Sequence, residues 1–142
     1  MTEEKIELTH LTVQDYLVGV MLGAMISDSL EDGKEAEYIY FFVRHLPVFA
    51  DYDKKRIPAL MELFSGTIKV EGDYSVYKKL VLKNLPQELH NLAFLLANVV
   101  TVSDHQFNFD EHGFLNLLEE GLKVNPDTAN KIKLVAQIYN TQ

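Results

Sequence analysis

This sequence predicts an all-α fold made of two copies of one three-helix unit. Three observations carry that prediction. Apolar residues recur at helical spacing in segment after segment, as in Val13, Leu17, Val20, Met21 and Ala24. A word repeats 76 positions on: Met25-Ile26-Ser27-Asp28 with Glu35, then Thr101-Val102-Ser103-Asp104 with Glu111. The match runs on without a gap, so Tyr38, Ile39, Phe41, Phe42 and Leu46 fall on Phe114, Leu115, Leu117, Leu118 and Leu122. Finally, Pro47, Gly66, Pro86 and Pro126 punctuate the periodic segments. The expected architecture has about seven helices in a single domain spanning residues 1–142. Two pseudo-twofold related units, about 13–66 and 86–140, are joined by a short helix.

Thr12 is a good N-cap for helix 1, which runs from about Val13 to Ser27. Gly19 and Gly23 lie four apart on it and cost helix propensity, so they mark close approach by a neighbouring helix. Asp32 caps helix 2, with Glu35 three residues later as in a capping box, and the helix ends near Leu46 before Pro47. On it Tyr38, Phe41, Phe42 and His45 share one face, and the aromatic cluster from Tyr38 to Phe42 reads as core, with Tyr40 off the stripe. Helix 3 lies between Asp53 and Phe64, opened or bent by Pro58 and stopped at Gly66. Thr67 to Asp73 reads as loop, in which Thr67-Ile68-Lys69-Val70 also suits a short extended piece. Tyr74, Tyr77, Val81 and Leu85 mark a short helix 4, ended by Pro86. Helix 5, from about Pro86 to Ser103, is nearly continuous in apolar residues after Leu92 and should be the central buried helix. Asn108 caps helix 6, and Glu111 follows three residues later. Pro126 opens helix 7, where Ile132, Val135, Ala136 and Tyr139 recur at helical spacing.

Composition narrows the partners. A formal net charge of −8 argues against nucleic acid and anionic lipid, both of which need basic surface, and favours a cation or a basic protein. With no cysteine there is no disulfide framework, thiolate metal site or cysteine nucleophile. The acidic Met1-Thr2-Glu3-Glu4-Lys5 start is unlike a signal peptide, and the longest apolar run, Leu17 to Ile26, is shorter than the ~20 residues a spanning helix needs. A cytoplasmic location is the expectation, without direct membrane insertion.

Chemistry concentrates at the two repeated turns. Asp28, Glu31, Asp32, Glu35 and Glu37 crowd the first, and Asp104, Asp110 and Glu111 the second. Oxygen-rich turns of this kind supply ligands for hard cations. If the pseudo-twofold brings the turns together, Asp28, Glu35, Asp104 and Glu111 converge and need a cation or protons to relieve their repulsion. Capping accounts equally for Glu35 and Glu111. It does not account for Asp28 and Asp104, which end helices where a negative charge is unfavourable. An EF-hand does not fit, because its sixth and twelfth positions fall on Phe109 and Leu115.

The remaining constellations are plainer. No two of His10, His45, His90, His105 and His112 have the spacing of a helical metal site. Lys54-Lys55-Arg56, the only basic run, reads as a solvated helix face. No phosphate loop or nucleophile elbow is present, and nothing specifies catalysis.

The paired turns carry a family likeness. Ala97-Asn98-Val99-Val100-Thr101-Val102-Ser103-Asp104 with Glu111-His112-Gly113-Phe114-Leu115, and Ala24-Met25-Ile26-Ser27-Asp28 with Glu35, resemble the TerB-like family of tellurite-resistance proteins over roughly residues 15–139. The family usually has glycine after the Asp, where this chain has Ser29 and His105. The resemblance implies duplicated three-helix units, a non-enzymatic stress-response role, and divalent cation binding, calcium first, by Asp28, Glu35, Asp104 and Glu111. The alternative is a helical protein-interaction module, which can include a homodimer, with carboxylates that only cap helices.

Overall fold

The computed structural model describes residues 10–27, 33–68, 74–102 and 109–139. Among them run seven α-helices: α1 Val13–Ser27, α2 Gly33–His45, α3 Arg56–Ile68, α4 Ser75–Leu80, α5 His90–Val102, α6 Phe109–Gly121 and α7 Pro126–Tyr139. The described residues form no strand.

α1 and α5 form the centre. Leu17, Val18, Val20, Met21, Leu22 and Ala24 of α1 are buried, as are Ala93, Phe94, Leu96, Ala97, Val99 and Val100 of α5. These helices pack most extensively on each other. α1 then packs against α3 and α2 much as α5 packs against α7 and α6, and α1–α6 and α2–α5 contacts tie the two sets together. α2 and α6 are both 13 residues long and start 76 positions apart, the spacing of the repeated word. The third helices break that register: α3 starts at Arg56 and α7 at Pro126, after a 3₁₀ turn at Pro47–Phe49 in the first copy.

The two glycines of α1 do bring neighbours close. A Cβ on Gly19 would stand 2.8 Å from the Phe64 ring, and one on Gly23 would stand 2.5 Å from both Phe114 Cζ and Tyr77 Oη. α4 delivers Tyr77 into this seam. Its ring lies 6.2 Å from that of Phe64 and 5.6 Å from that of Phe114, and its hydroxyl donates to the Gly19 carbonyl at 2.8 Å. Complete burial pushes the phenol well above its ordinary pKa, so it remains a donor. The connecting helix is thereby part of the core.

Local structure departs from expectation, or adds to it, at five points. α3 runs through Gly66 to Ile68, so Gly66 does not stop it. Nothing lies within 4 Å of a Cβ placed there, and ordinary helical backbone suffices. Pro58 sits third in α3, inside the first turn where no intrahelical N–H bond is lost, so it opens the helix without bending it. α4 ends at Leu80 and gives way to a 3₁₀ turn over Leu82–Asn84. A further 3₁₀ turn, Gln87–Leu89, precedes α5, which starts at His90 rather than Pro86. At the end of α6, Lys123 takes the left-handed conformation (φ 52°). Val124 N–H bonds the Glu119 carbonyl and Lys123 N–H the Glu120 carbonyl, a Schellman stop made without glycine at its left-handed position.

Candidate functional site

The four carboxylates expected to bind a cation fall at the margin of what the structure describes. Asp28 and Asp104 lie outside the described residues, as do the expected N-caps Asp32 and Asn108. Glu35 and Glu111 belong to the opening turns of α2 and α6, and their side chains lie outside the description. Among the described residues no three His, Asp or Glu side chains gather as a metal site. The helices that flank the turns do touch, where Phe114 of α6 seats on Gly23 near the end of α1.

The most polar buried site is one that sequence reasoning did not anticipate. Asp15 in the first turn of α1 is fully buried. Its Oδ1 accepts from the Tyr52 hydroxyl at 2.6 Å and from Arg56 Nε at 3.0 Å. Its Oδ2 accepts from Arg56 Nη2 at 2.7 Å and from the Thr12 backbone N–H at 2.8 Å. Thr12 Oγ1 in return accepts from the Asp15 N–H, which completes a capping box. Burial pushes the Asp15 carboxyl up, but the bonds from Arg56, Tyr52 and Thr12 together outweigh it and hold it below the usual range. Burial, and then the bond to Asp15, hold the Tyr52 phenol well above its own. Every acceptor position of the carboxylate is used within the protein, so this is an anchor fixing the start of α1 to α3. Arg56 is therefore not part of a solvated basic run; its guanidinium is drawn inward by a buried charge. The Thr12–Asp15 spacing was readable as a cap, but a partner 41 residues away was not.

The second copy is anchored differently. His90 stands 76 positions after Gln14. Gln14 Nε2 donates to the Val48 and Ala50 carbonyls at 3.0 and 3.2 Å, in the turn after α2. The His90 ring lies 2.9 Å from the Leu122 carbonyl after α6 and 3.0 Å from the Leu85 carbonyl. Both side chains tie the start of a central helix to the turn that follows the next helix. Beside His90 an open polar cleft of about 470 Å³ is lined by Gln87, Asn91, Lys123, Asn125 and Thr128 among others.

The other departure lies on the surface. The aromatic cluster of α2 divides: Phe42 turns inward beside Ile39, Tyr40 is 40% exposed in keeping with its place off the stripe, and Phe41, expected in the core, is 49% exposed. Adjacent residues on a helix point about 100° apart, and the buried side of α2 runs through Ile39, Phe42 and Val43, which turns Phe41 away from it. α7 likewise turns Ala136 inward but leaves Leu134, Val135 and Ile138 56%, 52% and 59% exposed, against the expected inward stripe through Val135 and Tyr139. Rings link the two helices through the buried Phe42. Phe41 meets Phe42 at 5.9 Å, Phe42 meets Tyr139 at 6.3 Å, and Tyr139 meets Tyr38 at 5.9 Å. His45 lies over Phe41 at 4.5 Å. The outer side of α2 forms a shallow groove of about 350 Å³, lined by Ala36, Glu37, Tyr40, Phe41, Arg44 and His45. Val13, Leu63 and Val76 are also exposed, on three other helices.

No protein-family model matches the chain, and neither does any curated protein or solved structure. Among the described residues no helix is long and apolar enough to cross a membrane.

Proposed function

We propose that this chain is a non-enzymatic helical association module that meets other protein chains through the outer faces of α2 and α7. One observation carries the reading: α2 exposes Tyr40 and Phe41, α7 exposes Leu134, Val135, Ile138 and Tyr139, and the two helices meet through the rings of Tyr38, Phe42 and Tyr139. Contiguous apolar surface of this kind is costly to leave in water and marks interaction sites, whereas single exposed apolar residues do not. Aromatic side chains bordered by an arginine are also enriched at the centres of interfaces. The test is comparative enrichment from cell extract with the native chain and with a Phe41→Ser/Ile138→Ser variant. The reading expects proteins retained by the native chain to be lost by a variant that melts as the native chain does. Equal retention by both would contradict it.

A second reading is a cation-binding, TerB-like domain acting in cytoplasmic stress response, with Asp28, Glu35, Asp104 and Glu111 as ligands. The equal lengths and 76-residue spacing of α2 and α6 support it, as does the seating of Phe114 on Gly23. Calorimetric titration of chelator-stripped chain with calcium, magnesium, zinc and manganese tests it. Saturable binding that disappears in Asp28→Asn/Asp104→Asn supports a cation site. Absence of heat and of thermal stabilisation would remove it.

A further inference from the structure

The outward residues of α2 have an order that a generic sticky face does not need. Along the helix they read Ala36, Glu37, Tyr40, Phe41, Arg44 and His45, and these six line the groove. The set is symmetric about the Tyr40–Phe41 peptide bond: one aromatic on each side, then a charge of opposite sign on each side, then the end residues. Ile39, Phe42 and Val43 occupy the opposite side of the helix and are buried. Glu37 and Arg44 are seven residues apart, about 10 Å along the axis, too far to pair with each other.

We infer that the α2 face pairs with the α2 face of a second copy of this chain, antiparallel and about a twofold axis passing beside Tyr40 and Phe41. This rests on the association reading above and names its partner. In that arrangement Glu37 of each copy faces Arg44 of the other, and Tyr40 of each packs on Phe41 of the other. A twofold interface uses one patch on both subunits, so the patch must complement itself after rotation, and this one does. Parallel pairing would set Glu37 on Glu37 and Arg44 on Arg44, which electrostatics disfavours. The equivalent outer positions of α6 are His112, Gly113, Asn116, Leu117, Glu120 and Gly121, where the twofold would set Glu120 against Gly113, which carries no charge. Two 13-residue helices make an interface at the small end of the specific range, so the dimer forms reversibly with concentration and weakens with salt.

Sedimentation equilibrium of the full chain over a wide concentration range tests this through charge exchange. Glu37→Arg and Arg44→Glu should each weaken self-association by about tenfold or more, since each sets like charges opposite one another twice. The double variant Glu37→Arg/Arg44→Glu should recover native association, and so should an equimolar mixture of the two single variants. Both positions are exposed, so each variant should stay folded, which melting curves check. A native chain that stays monomeric throughout would overturn the inference, as would single variants that associate like the native chain or a double variant that does not recover. If the chain is monomeric but still loses partners through Phe41→Ser/Ile138→Ser, self-pairing falls while the association reading stands.

Discussion

α2 and α6 are the same helix twice on the inside and two different helices on the outside. Ile39 and Leu115 are buried at equivalent positions, as are Phe42 and Leu118. Outward, the pairs diverge: Tyr40 against Asn116, Phe41 against Leu117, Arg44 against Glu120, His45 against Gly121. Leu117 is half-buried where Phe41 is exposed. Gly121 lies under Leu82, whose Cδ1 would be 2.6 Å from an added Cβ, whereas the matching end of α2 is open. Inner positions answer to packing, which repeats at these two pairs though not at Val43, whose counterpart is Glu119. The outer positions are released from it, so an exposed aromatic and cation there, in one copy and not the other, calls for a partner.

The largest effect should come from the shared inner face. Leu118→Ala and Ile39→Ala should each cost about 3 kcal/mol in urea unfolding, because both side chains are essentially inaccessible and their loss leaves a cavity. A cost confined to one copy would break the equivalence.

A comparable loss, but one that depends on pH, belongs to the anchor found only in the first copy. Arg56→Met leaves a buried carboxylate without its cation and should cost about 3 kcal/mol at neutral pH. Folded Asp15 holds its proton less tightly than in the unfolded chain. Its contribution is therefore complete above the unfolded pKa of about 4, and is lost as pH falls through the lower folded value. The gap between the native chain and Arg56→Met should accordingly narrow on acidification. A gap independent of pH would show that the arginine acts by packing alone.

The smallest effect sharpens the contrast. Tyr40→Asn, which gives α2 the residue that α6 carries at the equivalent Asn116, should change stability by less than about 0.5 kcal/mol, as at other surface sites, while lowering association.

Most of the scaffold was legible in the sequence, for reasons that these positions make plain. Helical spacing, Thr12, Pro126 and the repeated word located the seven helices, and the glycines of α1 announced close approach by neighbours, which Phe64, Tyr77 and Phe114 turn out to make. Gly66 misled because a glycine near a helix end suits either a stop or one more turn. The anchor at Asp15 was hidden because its charge partner comes from a distant helix, and a basic run by itself looks solvated. The outer surface was hidden because hydrophobicity shows which residues are apolar but not which of two adjacent aromatics the neighbouring helices cover. The cation ligands proposed from the repeated word, Asp28, Glu35, Asp104 and Glu111, lie outside the described side chains, so the word itself still carries that reading.

The claim that the outer face of α2, continued by α7, is where this chain pairs with a second copy is tested most directly by amide-resolved NMR of isotope-labelled full chain titrated with unlabelled chain. The account predicts saturable shifts along Ala36–His45, extending to the outer turns of α7, with the buried amides of α1 and α5 unmoved. Shifts that are absent, or that centre on α3 and α4, would contradict it.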